Sequence, residues 1–273
     1  MKTHSRVAII QMRSDLEKST NIKRAVAMIT QAVDQGAECI CLPETFNCLG
    51  TYPEMVDQAE AIPGRTINVL SDLASKHGIY IHCGSIFEKT EHSTKAFNTS
   101  VILDANGDIA ATYRKIHLFD VDIPGDFNSY ESHWVTPGDQ IIALETPLGK
   151  IGLSICYDLR FPEIFRKLAQ QGVQITFLPS AFRRTTGAAH WEILLRARAI
   201  ENQSYVLAAN QWGTPAAGIS HYGNSMVVNP WGDVIARAQD ESDSILVVDI
   251  NLKELMTIRS QLPALKHRQI HEN

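Results

Sequence analysis

A cysteine that closes an apolar run, in "LSICYDLRFPEIF" (153–165), is the first place in this chain where chemistry could reside. The run before Cys156 reads as a strand, and the pattern from Pro162 onward reads as a helix. A sulfur at such a junction meets the positive end of a helix dipole and a set of backbone N–H groups, which favour thiolate over thiol. The same N–H groups can hold an oxyanion on a substrate carbonyl. A thiol nucleophile needs a base. Ten histidines are available, His117 in "RKIHLFD" foremost among them. A carboxylate can serve instead where burial raises its pKa and a cation balances its charge. Glu44 has that setting, because "ICLPETF" (40–46) carries it past an apolar strand and a proline. A carboxylate there is costly unless paired. Lys115, near the end of a strand that enters "YRKIHLFD" (113–120), could provide the pairing and bind developing negative charge. Each residue also has a plainer reading: Cys156 as a core spacer, Glu44 as a helix N-terminal or loop charge, Lys115 as a solvated surface residue.

Positioning these groups falls to many short elements. Strand-like runs occupy 6–12, 38–42, 79–87, 98–104, 141–146, 150–156, 174–179, 204–210, 225–229 and 244–250. Several are continuously apolar, as in sheets covered on both faces. Tight turns at Asn106-Gly107, Pro147-Leu148-Gly149 and Pro230-Trp231-Gly232 imply hairpins, so the sheets are not purely parallel. Helical periodicity fits 14–36, 67–78, 162–172 and 188–203. No linker, low-complexity tract or internal repeat interrupts the chain, so one domain over 1–273, with sheets inside and helices outside, is the economical reading.

Bulk properties exclude several classes. A net charge of −5 gives no basic footprint for nucleic acid. No apolar run approaches the ~20 residues that span a bilayer, and the opening "MKTHSRVAIIQM" lacks a signal-peptide core. A cytoplasmic location is the expectation. The five cysteines (Cys39, Cys41, Cys48, Cys83 and Cys156) form no CxxC pair, so neither a disulfide framework nor a metal site is expected. Cys39 and Cys41 lie two apart in a strand and so share one face, expected to be buried.

Taken together, "LPETF", "YRKIHLFD" and "CYDLRFPE" resemble the nitrilase superfamily of carbon–nitrogen hydrolases, and the resemblance continues through "PSAF", "TGAAHWEILLRARAIENQSYVLAANQWG" and "YGNSMVVNPWGDV". It implies a four-layer αββα sandwich of α/β class that pairs as αββα–αββα, with segments 162–172 and 188–203 as the pairing helices. A homodimer, or a larger assembly of dimers, follows. It also implies Glu44 as general base, Lys115 as electrostatic stabiliser, Cys156 as nucleophile, and Glu131 in "SYESHWVTPGD" as a second glutamate, with the Tyr157 backbone N–H assisting at the oxyanion and no cofactor.

The closest branch in character is that of the Nit amidases. Within it the resemblance favours deaminated glutathione as substrate, with an ω-amidase acting on short ketoacid amides such as α-ketoglutaramate as the alternative. Both substrates pair an amide with a carboxylate, which makes Arg160, Arg183 and Arg184 candidate anion contacts and Thr186 a further candidate in the same loop. Arg160 could instead pair with Glu163 as structural support. Arg183 and Arg184 depart from the Thr, Gly or Asn common after "AF" in relatives. Two other readings stand beside the amidase: a catalytically silent interaction protein of the same fold, and a Cys–His hydrolase using His117.

Overall fold

The computed structural model describes residues 3–90, 93–239 and 241–270. The chain opens with β1 (His4–Gln11), α1 (Lys18–Asp34) and β2 (Cys39–Cys41), followed by α2 (Tyr52–Asp57) and α3 (Arg65–His77). Next come β3 (Tyr80–His82), β4 (Ile86–Lys89), β5 (Ala96–Leu103) and β6 (Ile109–Arg114). A separate hairpin of β7 (Asp120–Ile123) and β8 (Phe127–Tyr130) leads to β9 (Ala143–Thr146), β10 (Gly149–Leu153), α4 (Pro162–Gln170) and β11 (Ile175–Phe177). The chain continues through α5 (Arg184–Asn202), β12 (Tyr205–Ala208), the two-residue strands β13 (Trp212–Gly213) and β14 (His221–Tyr222), β15 (Met226–Val228) and β16 (Val234–Arg237). It returns through β17 (Ser244–Asn251) to α6 (Leu252–Gln261).

Two sheets result. One runs β17-β1-β2-β3-β5-β4, with β6 also on β5; the other runs β16-β15-β12-β11-β10-β9. In each, three central strands are parallel, β1-β2-β3 and β10-β11-β12, flanked by antiparallel neighbours. The three expected hairpins are present as β5-β6, β9-β10 and β15-β16.

Side-chain alternation sorts the layers. Ala8 and Ile10 of β1 pack with Ile40 and with α1 and α3 residues such as Ala25, Ile29 and Leu70. Val7 and Ile9, with Cys39 and Cys41, instead join Ile151, Leu153 and Phe177 of the second sheet. Cys39 and Cys41 therefore do share a buried face. On the far side of the second sheet, Leu168 of α4 lies so close to Gly152 of β10 that a Cβ there would meet it at 3.0 Å, and Trp191 and Leu195 of α5 are fully buried. The order is helix, sheet, sheet, helix.

Boundaries moved where side chains near an element's end are engaged elsewhere. α1 starts at Lys18 rather than 14, because the Ser14 hydroxyl donates to the Phe46 carbonyl and its backbone N–H donates to Gln211. The run 79–87 breaks into β3 and β4 at Gly84, whose φ of 57° no strand accommodates. β10 ends at Leu153, three residues before Cys156.

Candidate active site

The C-terminal ends of the parallel strands of both sheets meet at one cavity of about 320 Å³, lined among others by Glu44, Lys115, Glu131 and Cys156. That is where open α/β sheets generally place ligands. From the first sheet, Glu44 follows β2 through Leu42 and Pro43. Its loop presses on the neighbouring strand end so closely that a Cβ on Gly84 would meet the Pro43 carbonyl at 2.0 Å. Thr45, next in line, has φ 50°, and Cys156, at the head of a short 3₁₀ helix (Cys156–Arg160), has φ 45°. Left-handed backbone at a non-glycine residue costs about 1–3 kcal/mol and is held only by its surroundings. For Cys156 those include its own N–H donating to the Pro179 carbonyl at 2.9 Å.

Glu44, Lys115 and Glu131 are all buried. Lys115 Nζ lies 3.2 Å from Glu44 Oε1 and 2.8 Å from Glu131 Oε2. Glu44 further accepts from Asn98 Nδ2 at 2.8 Å and from the Ala181 N–H at 2.7 Å; Glu131 accepts from the Phe119 N–H at 2.6 Å. One cation thus bridges two carboxylates, each also hydrogen-bonded. Burial alone would lower the Lys115 pKa, but Glu131 and Glu44 overcome it and hold it well above the ordinary lysine value. Burial, opposed by Lys115 and reinforced by Glu44, raises the Glu131 pKa.

Cys156 departs from the expectation drawn from its strand-to-helix position. Burial first, then the Glu44 charge, lift its pKa well above the ordinary thiol value against the pull of Lys115. The helix it heads is a five-residue 3₁₀ segment, and α4 begins only at Pro162, so the dipole is too short to prevail. The resting group is a thiol facing a carboxylate that can take its proton.

His117 is engaged elsewhere. Its Nδ1 lies 2.7 Å from Asp158 Oδ1, and its ring stacks on Phe161 with centroids 3.7 Å apart. Asp158, fully buried, collects four hydrogen bonds: from Tyr113 Oη at 2.6 Å, the Ile155 N–H at 2.8 Å, the His117 N–H at 3.1 Å and the His117 ring. It clamps the turn that carries Cys156 to the segment that carries Lys115. Gln211 plays a matching part on the other flank, donating to the Glu44 carbonyl at 3.0 Å. Neither residue, nor Asn98, had a local signal in the sequence.

Tyr157, Arg160, Arg183 and Thr186 line the same cavity. Arg160 does not pair with Glu163; its Nη1 lies 3.2 Å from His190 Nδ1 and its guanidinium sits over the Tyr157 and Phe182 rings. Arg183 stacks 4.7 Å over Phe127. Arg184 parts from its neighbour and forms an ion pair with Glu241 at 2.6 Å. Among the described residues, no group of His, Cys, Asp or Glu side chains could hold a metal ion, and no helix is long and apolar enough to cross a membrane.

Comparison with known proteins places this geometry. The chain is 42% identical over 267 residues to omega-amidase NIT2 of Homo sapiens, covering 98% of this chain and 96% of that one. It superimposes on the NitFhit protein of C. elegans with a TM-score of 0.92 at 39% identity, covering 98% of this chain and 66% of that longer one. It also superimposes, at TM-score 0.82 and 25% identity over 98% of this chain and 94% of the other, on a mutant amidase from Nesterenkonia sp. AN1 that shows covalent addition of the acetamide moiety of fluoroacetamide at its active-site cysteine. The carbon–nitrogen hydrolase family matches residues 6–260, and with it the chain belongs to the nitrilase superfamily of carbon–nitrogen hydrolases.

Proposed function

We propose that this chain is an amidase of the omega-amidase kind, hydrolysing a short linear amide that carries a carboxylate at its far end. The observation that carries this reading is one small cavity holding the Cys156–Glu44–Lys115 group together with the Arg160 and Arg183 guanidiniums, neither of which meets a carboxylate of the described chain. Its volume of about 320 Å³ is at the small end of the roughly 300–1,000 Å³ usual for ligand pockets. That size, and the omega-amidase relatives, favour short ketoacid amides over deaminated glutathione and reverse the order of preference drawn from the sequence.

In the mechanism, Glu44 takes the Cys156 proton as sulfur bonds to the amide carbon, so charge is never left unbalanced beside Lys115. Lys115 and the Tyr157 backbone N–H stabilise the oxyanion. Collapse breaks the C–N bond, and the proton held by Glu44 leaves with ammonia. A water deprotonated by the same carboxylate then attacks the thioester; the thiolate departs, recovers its proton and frees the acid. Glu131 keeps Lys115 in place and does not itself carry the transferred proton.

An ammonia-release screen over α-ketoglutaramate, deaminated glutathione, glutamine, a simple nitrile and an N-carbamoyl amino acid tests the reading. We expect kcat/KM for α-ketoglutaramate to exceed that for deaminated glutathione at least tenfold; the opposite order would return the assignment to deaminated glutathione. Ile193 and Ile200 of α5, 69% and 49% exposed, support pairing of two copies through that helix, which sedimentation would read.

A further inference from the structure

Two polar groups in the cavity have no part in the hydrolytic chemistry, and they stand on adjoining backbone. Arg183 and His221 face each other as an antiparallel bridge pair, fixed by the Tyr222 N–H donating to the Phe182 carbonyl at 2.9 Å and the Arg184 N–H to the Ser220 carbonyl at 3.0 Å. Directly opposed residues of an antiparallel pair send their side chains to the same side, and both line the cavity.

Neither hydrogen-bonds another side chain among the described residues. The Arg183 guanidinium rests on the Phe127 ring and, among the described residues, makes no ion pair or hydrogen bond; Asp126 acts on it through its charge alone. His221 is 3% exposed; the Gly213 backbone engages its ring, and Nδ1 is enclosed away from the cavity. Burial, then the Arg183 charge, pull its pKa down to about 3, so the ring is neutral at physiological pH. The guanidinium and the edge of the His221 ring that lines the cavity are both within reach of a ligand there, which can bond the two together.

We propose that Arg183 and His221 are a specificity pair for the far end of the acyl chain, Arg183 taking its carboxylate and His221 an oxygen on the adjacent carbon. This inference rests on the amidase reading above. It narrows the substrate to the ω-amide of a 2-oxo or 2-hydroxy acid. A planar guanidinium suits a carboxylate through two parallel N–H donors. A neutral imidazole can donate to an oxo oxygen from one tautomer or accept from a hydroxyl in the other. A 2-ammonium group would bring a second cation against Arg183, so 2-amino acid amides are disfavoured by repulsion.

The test is steady-state ammonia release from α-ketoglutaramate, glutaramate, glutamine and propionamide by the purified protein and its variants. The wild type should prefer α-ketoglutaramate over glutaramate by about tenfold, the scale of one added hydrogen bond, and should disfavour glutamine further. His221→Phe should bring the α-ketoglutaramate to glutaramate ratio to within about twofold through KM, while His221→Asn, which keeps a hydrogen-bonding group, retains part of it. Arg183→Met should raise KM for both acids by about tenfold or more, with partial recovery in Arg183→Lys. An unchanged ratio in folded His221→Phe, or an equal KM rise for propionamide in Arg183→Met, overturns the pair. Should His221→Phe fail to fold, competitive inhibition of the wild type decides: 2-oxoglutarate binding no tighter than glutarate overturns the His221 assignment. Failure of the underlying reading looks different, since wild-type turnover of propionamide as fast as glutaramate would remove the carboxylate requirement altogether.

Discussion

Asp158→Asn isolates the clamp between the nucleophile turn and the Lys115 segment. The substitution keeps size and shape and replaces one acceptor oxygen with an NH₂ donor. If that NH₂ occupies the Oδ2 position, it faces the Tyr113 hydroxyl, which can rotate to accept, and the Ile155 N–H, which cannot. In the Oδ1 position it faces His117 Nδ1, which can change tautomer, and the His117 N–H, which cannot. Either orientation leaves one backbone donor without an acceptor, buried at Ile155 and part-buried at His117, at about 1–3 kcal/mol, and the surviving bonds lose their charged partner. The expected destabilisation is about 2–4 kcal/mol, read as a lower urea midpoint at unchanged slope. Ile155 adjoins Cys156, and a displacement near 1 Å at a reacting group can cost ~10² in rate. kcat should therefore fall by about that factor with KM little changed. His117→Asn, which leaves both backbone donors to an intact Asp158, should lose far less. A folded Asp158→Asn enzyme with wild-type kcat and midpoint would refute the clamp, and loss of all turnover in His117→Asn would restore the Cys–His alternative.

Cys156→Ala should leave a folded protein without amidase activity, and mass spectrometry of the wild type with a thioester-forming substrate should place the adduct on Cys156; an adduct on Cys41 or Cys48 instead would overturn the assignment. Glu44→Gln should lower the rate by at least the roughly 10²–10⁴ typical of general base catalysis. Lys115→Met should be as damaging, and should also cost about 3–5 kcal/mol of stability because two buried carboxylates lose their shared cation; near-normal turnover would reduce Lys115 to a structural residue. His82 and His221 both have folded pKa values of about 3. Set against about 6.5 in the unfolded chain, the unfolded state binds more protons between those values, so stability is complete above pH 6.5 and falls as pH falls toward 3. From pH 7 to pH 5 each ring removes about 2 kcal/mol. His82→Leu should lessen the fall by about 2 kcal/mol, which separates the rings from Glu131, whose raised pKa acts in the opposite sense; a slope unchanged in that variant would refute the contribution of His82.

Glu44, Lys115 and Cys156 were legible because each follows an apolar run at a strand end, where a charge or a thiol is out of keeping with its surroundings. Glu131 was reached only through likeness to other proteins, since "SYESHW" has no pattern that marks a buried carboxylate. The residues that hold the group together left no trace in local sequence. Asp158 looks like an ordinary helix-start acid, yet it bonds across 45 positions to Tyr113. Gln211 bonds across 167 to Glu44. Periodicity reports which face of an element is buried, and these contacts run between elements. For the same reason α1, α3, α4 and α5 were found, whereas the two-residue strands β13 and β14, which exist only through their pairing, were not; the ten-residue α6 was also missed. The thiolate expectation failed because burial outweighs a one-turn dipole, and burial at a strand end cannot be judged until the second sheet is in place.

The site straddles the seam between the two sheets. Glu44 comes from the end of β2 and Lys115 from the end of β6, while Cys156 and Ala181 come from the ends of β10 and β11, and the bond from Ala181 to Glu44 crosses the gap. Turnover is therefore a gauge of how the two halves are registered against each other. A sliding of one sheet over the other by an ångström leaves every ladder within each sheet intact and the far-ultraviolet spectrum unchanged, yet parts the thiol from its proton acceptor. Under gradual denaturation, turnover should therefore be lost before the far-ultraviolet signal of the strands and helices.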